Sequence, residues 1–279
     1  MKKPGAPLLS VILLSKTDSQ PLFQMTLECI NSIAASEIKG NFEIIIIESN
    51  KNFLESGFRY PDFVNVIIPE EKFNFHKFLN IGISNSKGDF IALCNNDLIF
   101  KPNWFNEIEQ ISKRYPSVLS FSPTQECYAE GNKKVEFGYK VRRHIQGWCI
   151  VVKKEIFNKI GLLDETFDFY FADNDYALTL KYHNLRHALV LSSQVLHLEK
   201  KSTSLAAEDK SFQKKYKIPK YLYGEKYKYI LDREINLSGF LKYHQKWGPP
   251  KLLYRKNKLA DIFIKYGLGF AVRFFLKIH

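Results

Sequence analysis

A chain of 279 residues with 45% hydrophobic content is long enough for one large α/β domain plus an appendage, or for two small domains, with a substantial core in either case. Its four cysteines, Cys29, Cys94, Cys127 and Cys149, are widely separated and form no CxxC pair, which argues against a zinc site or a redox motif and for reduced, mostly buried thiols. The formal charge of +12 is unevenly placed: residues 1–199 hold 22 Lys+Arg against 23 Asp+Glu, whereas residues 200–279 hold 19 against 6, so a neutral body carries a basic tail suited to an anionic membrane surface or nucleic acid.

Leu8 to Leu14 is a short apolar run, better suited to a first strand than to the hydrophobic region of a signal peptide. A cytosolic protein is the resulting expectation. Further apolar, β-branched runs at Phe42 to Ile47, Val64 to Ile68, Phe90 to Leu93 and Cys149 to Val152 alternate with helix-compatible stretches. That rhythm predicts an α/β sheet. Pro21 to Ala35 reads as the first crossover helix, with Phe23, Leu27, Ile30 and Ile33 or Ala34 as its stripe and Pro21 in the first turn.

A second helix is expected over Phe75 to Ser86. A third starts at Pro102 and runs to about Tyr115 on a stripe of Trp104, Phe105, Ile108 and Ile111. Between them Phe90 to Leu93 has no polar face, as in the middle of a sheet covered on both sides, and it ends in Asn95-Asn96-Asp97. Ligands of such sheets bind beyond the carboxyl ends of the strands. The tripeptide is equally suited to an ordinary turn.

Ser122 to Arg143 is polar and glycine-spotted and reads as a loop or irregular hairpin, where an active-site excursion often lies. From Asp164 an aromatic loop, Phe167-Asp168-Phe169-Tyr170-Phe171, leads into Ala172-Asp173-Asn174-Asp175 at the start of a helix reaching about Tyr182. Those acids either cap the helix or serve a site. No convincing strand follows Ser202. Leu259 to His279 carries Asp261, Lys265, Arg273 and Lys277, too many charges for a membrane span. As a helix it sets Leu259, Ile262, Phe263, Tyr266 and Phe270 on one side, which fits either an interfacial helix or one docked on the protein's own core.

In order and spacing these segments resemble a family 2 glycosyltransferase of the GT-A fold, over roughly Leu8 to Ser204. Ser10-Val11-Ile12-Leu13-Leu14-Ser15-Lys16-Thr17 is similar to the strand "SVIIPTYN" that opens that family's nucleotide pocket. Glu48 takes the place of the aspartate that holds the base, and a Glu can accept the same hydrogen bonds from a longer arm. The block "N.G...A.GdyI..LDsD" is matched by Asn80-Ile81-Gly82-Ile83, Ser86-Lys87-Gly88-Asp89-Phe90-Ile91 and Asn95-Asn96-Asp97. Leu79 stands where an arginine often precedes the Asn, and Lys77 is the alternative source of positive charge.

The resemblance further implies that Asp97 is the anionic metal ligand of a DxD motif whose first acid is Asn95, and that His197 is the downstream histidine ligand of "H..g.S", followed by Ser202. Waters and the donor's two phosphates complete such a shell. Mixed oxygen and imidazole ligands suit Mn2+, with Mg2+ the alternative. Gly147-Trp148-Cys149 through Gly161-Leu162-Leu163-Asp164-Glu165 resembles "G..m.irre.f..vGgFDE", and Ala172-Asp173-Asn174-Asp175-Tyr176 aligns with "ED.Dl". The Glu is lost, but Asp173 keeps the place of the general base.

The resemblance therefore implies a Rossmann-like GT-A mixed sheet flanked by helices over residues 1–204, with a basic, mainly helical appendage over 205–279. Its implied activity is inverting transfer of a sugar, from a UDP or alternatively dTDP donor, to a glycan or lipid-linked acceptor in cell-surface polysaccharide synthesis. The donor would contact Ser15, Glu48, Lys77, Asn80, Asn95, Asn96 and Asp97. Trp148 and Asp175 are candidates for the acceptor, Asp175 alternatively for orienting the helix start. The basic tail suits the inner face of the cell membrane. A nucleic-acid partner is not expected from a neutral body without a recognised motif, nor a dehydrogenase without GxGxxG after the first strand. A nucleotide- or glycan-binding module with weakened catalysis is the other class that the substitutions at Glu48, Asn95 and Ala172 leave open.

Overall fold

A computed structural model of the chain describes residues 8–36, 38, 41–125, 134–198 and 210–278. Cys127, Ser202 and the expected domain boundary at 204 lie outside the described residues. In chain order the elements are β1 (Leu9–Ser15), α1 (Gln20–Ala34), β2 (Phe42–Glu48), β3 (Val64–Ile67), α2 (Phe75–Asn85), β4 (Phe90–Asn95), β5 (Leu98–Phe100), α3 (Trp104–Arg114), β6 (Ser120–Thr124), β7 (Val135–Phe137) and β8 (Cys149–Lys153). There follow the one-turn α4 (Phe157–Ile160), α5 (Ala172–Tyr182), β9 (His187–His197), the one-turn α6 (Lys228–Leu231), α7 (Glu234–Trp247) and α8 (Pro250–Lys265).

The strands form one mixed sheet in the order β3-β2-β1-β4-β8-β6-β9-β5, with β7 also paired to β9. β3, β2, β1 and β4 are parallel, and β8 runs antiparallel to both β4 and β6. β1 leads outward to β2 and β3 on one side, while β4 returns on its other side. That reversal of strand order opens a crevice beyond the carboxyl ends of β1 and β4, where open α/β sheets bind ligands.

Alternation along the strands divides the core into two layers. Leu9, Val11 and Leu13 pack with Cys29, Ile30 and Ile33 of α1 and with Trp104, Phe105 and Ile108 of α3. Ile12, Leu14, Ile45 and Ile47 pack on the opposite face with Phe78, Leu79 and Ile83 of α2 and with Tyr176, Ala177 and Leu180 of α5. Each of the Leu, Ile, Val and Phe side chains among them contributes about 1.5–3 kcal/mol by leaving water. Both faces are covered, which is why the strands read as continuous apolar runs.

The expected strands and helices are present, with four corrections. Ser122 to Arg143, expected as a loop or irregular hairpin, supplies the end of β6 and all of β7, both paired with β9. On α1 the buried face is Met25, Thr26, Cys29, Ile30 and Ile33, so Leu27 is only half-buried. α3 begins at Trp104, because Asn103 before it adopts a left-handed conformation (φ 61°) that a helix cannot include. The chain from Leu259 to His279 is not one helix. α8 ends at Lys265, where Gly267 N–H bonds to the Ile264 carbonyl and Leu268 N–H to that of Phe263, the double closure of a Schellman turn. A 3-10 turn over Gly269–Phe274 follows.

The tail is helical among the described residues and packs on the sheet domain. Leu253, Ala260, Val272 and Leu276 gather with Trp247 and with Leu178 of α5. The docking of α8 also pairs Lys181 of α5 with Asp261. Leu252, Leu259, Ile262, Tyr266 and Phe270 nevertheless remain exposed on the far side.

Candidate active site

The floor of the crevice is a hydroxyl network. Ser15, at the end of β1, meets the side-chain oxygens of Thr17 at 3.1 Å, Thr26 at 3.3 Å and Tyr60 at 3.3 Å. Asn96 lies over it and donates its amide to Thr26 Oγ1 at 2.8 Å. The tip after β4 is thus a turn fastened to α1, and Asn96 shapes it. Ser15 is buried among these partners, so the sequence reading corrects from a donor contact to a support beneath Asn96.

Glu48 ends β2 fully buried. Its Oε1 accepts from the backbone N–H groups of Thr17 at 3.0 Å and Asn50 at 2.7 Å, and its Oε2 has no partner. A buried acceptor without a partner costs about 1–3 kcal/mol.

β5 pairs antiparallel with the end of β9, setting Leu98 opposite His197. That register brings His197 Nε2 to 3.3 Å from Asp97 Oδ1. Two ligand atoms each about 2.1 Å from one divalent ion, at right angles, lie about 3 Å apart, so the pair fits a shared cation. Among the described residues no group of three or more His, Cys, Asp or Glu side chains converges as a metal cage. Asp97 and His197 would form one corner of a shell whose other ligands are water and phosphate oxygen. Trp148 stacks on His197, with ring centres 5.6 Å apart and planes at 20°, and its carbonyl accepts from Asn95 N–H at 2.9 Å.

Asp173 lies in the first turn of α5 and lines a cleft together with Asn95, Gly147, His76 and Tyr176. Burial raises its pKa, opposed by the Asn174 N–H and by the charge of Arg142. Gly147 makes room for it: a Cβ there would stand 3.2 Å from Asp173 Oδ2.

Two expected contacts are redirected inward. Asn80 donates to the Leu163 carbonyl and to Glu165, and accepts from Leu163 N–H. Its amide is consumed in holding the loop before α5, which corrects its expected donor contact. Asp175 is 3% exposed and is bound by Lys246 and by Trp247 Nε1 at 2.7 Å. It orients the start of α5 and is closed to an acceptor sugar. Lys77 sits in the first turn of α2 with its ammonium 3.1 Å from Glu71.

The sequence reading missed Tyr60, Thr26, Lys246 and Trp247. Lys246 and Trp247 stand out only as part of a basic aromatic run, and their partners lie about 70 residues away.

Residues 16–161, slightly more than half of the chain, match the family described as "Glycosyl transferase family 2". The match stops before Asp173 and His197. An uncharacterised protein of Sinorhizobium fredii, y4gI, is 24% identical over 244 residues, which cover 74% of this chain and 26% of that protein. The fold is shared with GalNAc-T7, solved with UDP, GalNAc and Mn2+, at a TM-score of 0.51 and 14% identity over 70% of this chain and 44% of that one. It is shared equally with Staphylococcus aureus TarS 1-349 in complex with UDP-GlcNAc, at a TM-score of 0.51 and 13% identity, over 70% and 62% of the two chains. The chain thus spans about a quarter of the curated relative and under two thirds of either solved structure.

Proposed function

The chain belongs to glycosyl transferase family 2, and we propose that it is an inverting, metal-assisted transferase that moves a sugar from a nucleoside-diphosphate donor to a glycan or lipid-linked saccharide in cell-surface polysaccharide synthesis. The observation that carries this reading is Asp173, a half-buried carboxylate of raised pKa sharing a cleft with Asn95, two residues before the Asp97–His197 pair.

Asp173 removes the acceptor hydroxyl's proton as that oxygen attacks the anomeric carbon from the face opposite the leaving group. The bond from that carbon to the diphosphate breaks, and its electron pair leaves with the nucleoside diphosphate. Burial makes Asp173 a stronger base than a solvated aspartate, closer to neutral pH. A divalent cation, Mn2+ or Mg2+, held by Asp97 and His197 would supply charge neutralisation of the departing diphosphate. Glu48 ends β2 at the place of the family's base-holding aspartate, within the matched residues 16–161, which supports UDP and then dTDP as the donor nucleotide. Asn95 and Lys77 remain for the donor, and Trp148, half-buried beside His197, for the acceptor. The exposed apolar stripe of α8 among basic residues supports seating on the inner, anionic face of a membrane, where lipid-linked acceptors are met; no described helix is long and apolar enough to cross one.

Screening nucleotide sugars for Mn2+-dependent hydrolysis or transfer tests the reading. Asp173→Asn should abolish turnover and keep nucleotide binding, whereas Asp97→Ala should abolish metal-dependent donor binding. A wild-type protein that binds nucleotide but turns over no donor would instead be a binding module.

A further inference from the structure

We infer that Lys246 and Trp247, at the end of α7, are positioning residues for the base Asp173, so that the basic appendage forms part of the reaction centre; this rests on the assignment of Asp173 above. The loop from Leu163 to Phe171, which delivers Asp173 into the cleft, is held on two sides. From α2, Asn80 grips Leu163 and Glu165, His76 Nδ1 meets the Asp164 carbonyl at 2.7 Å, and Phe75 N–H donates to the Asp168 carbonyl at 2.8 Å. From α7, Lys246 Nζ bridges Asp164 at 2.8 Å and Asp175 at 2.8 Å, Trp247 Nε1 donates to Asp175, and Lys242 binds Asp168 at 2.7 Å.

Three features show that α7 is fitted to this loop beyond chance contact. Phe171, the residue before α5, has φ 68°, a left-handed conformation that a bulky side chain rarely takes. Its ring is packed between Phe240 and Tyr243 of α7, at 5.7 and 5.3 Å between centres. Gly239 lets α7 lie directly on the loop, because a Cβ there would stand 2.5 Å from the Tyr170 carbonyl. Trp247 is fully buried, and its indole N–H points at a carboxylate that is itself buried two residues beyond Asp173. A buried donor committed to a buried carboxylate fixes the rotation of the first turn of α5, and with it where the Asp173 carboxylate stands.

Trp247→Phe keeps an aromatic ring but removes the indole N–H and part of the buried bicycle, so its stability to urea is measured beside its rate, and Lys246→Arg keeps the charge that Lys246→Met removes. In Trp247→Phe and Lys246→Met, amide hydrogen exchange over residues 164–176 should quicken while β1 to β4 keep their protection. Kcat of transfer should fall by roughly tenfold to a hundredfold, as misplacement of a reacting group by about 1 Å does, with affinity for the nucleotide within twofold of wild type. Lys246→Arg should restore most of the rate lost in Lys246→Met. Unchanged exchange, or faster exchange with an unchanged kcat, overturns the inference. An active wild type and a dead Asp173→Asn beside a normal Trp247→Phe sinks this inference alone, whereas full activity in Asp173→Asn sinks the assignment of the base and this inference with it.

Discussion

Asp173 is pulled in two directions. Burial raises its pKa, and the charge of Arg142, an exposed residue, lowers it again. Because the carboxylate form is the base, activity should rise with pH through a value above that of a free aspartate. Removing the cation in Arg142→Ala should move that acidic limb to higher pH and leave the plateau alone. Arg142 is open to solvent, so salt should weaken its effect and shrink the difference between variant and wild type. A pH profile of kcat/KM at low and high salt checks this; a limb that stays put at low salt, or moves to lower pH, counts against the coupling. The same group has a stability signature. An aspartate of raised pKa holds its proton longer in the folded chain than in the unfolded one. Its contribution therefore turns unfavourable as pH rises from the unfolded pKa to the folded one, and is constant above that. Asp97, Asp173 and His197 are singled out in the sequence by the order of the motifs that carry them, whereas the 3.3 Å approach of His197 to Asp97 comes from the pairing of β5 with β9 and has no local signature. Asn80 and Asp175 were legible as motif positions but not as roles, since their partners, Leu163 and Trp247, come from distant segments.

The contact between α7 and the aromatic loop turns on a single missing methyl. Alanine is the better helix former by about 1 kcal/mol, so Gly239→Ala would stabilise α7 if space allowed. The added Cβ would meet the Tyr170 carbonyl oxygen at 2.5 Å, and a backbone oxygen cannot rotate away as a side chain would. Overpacking of this kind costs about 1–3 kcal/mol, so the clash should win and the variant should be less stable than wild type. Urea or thermal denaturation measures this, and a stabilised Gly239→Ala would show that α7 does not press on the loop. Elements differ in the same way in how far sequence reveals them. β4 is apolar throughout because both faces are covered, and it reads at once as a central strand. β6, Ser-Phe-Ser-Pro-Thr, is buried along its whole length yet carries no apolar pattern. Its Ser120 hydroxyl meets Tyr176 at 2.7 Å and His187 at 2.8 Å, and Ser122 accepts from Gln146 N–H. Hydrogen-bonded hydroxyls fill the core there, so hydrophobicity could not mark the strand. β9 is likewise not marked as a strand, since Ser192-Ser193-Gln194 interrupt its apolar run; there the register with β6 also shifts.

Across the whole molecule the charge asymmetry and the packing of the tail assign different work to the two sides of α8. Leu253 and Ala260 face the core, while Leu252, Leu259, Ile262 and Tyr266 form an exposed stripe beside Lys251 and Arg255, continued by Phe270 and Phe274 after the turn. The sequence left open whether this segment docks on the core or lies on a membrane; docking is realised on one face, and the proposed membrane contact belongs to the other. Deleting residues 240–279 would be a poor test, because it removes Lys246 and Trp247 and disturbs the loop that carries Asp173. The triple variant Ile262→Ser, Tyr266→Ser, Phe270→Ser changes only exposed side chains and should fold with wild-type stability. Each basic residue near an anionic surface contributes about 1 kcal/mol, a part that salt removes, whereas the apolar stripe supplies a part that salt does not. Wild type should therefore float with vesicles rich in phosphatidylglycerol, detach partially in high salt, and bind phosphatidylcholine only as weakly as it binds phosphatidylglycerol in high salt. The triple variant should bind more weakly at low salt and detach completely at high salt. Flotation of the variant equal to wild type in both salts would mean that this face meets something other than a lipid surface.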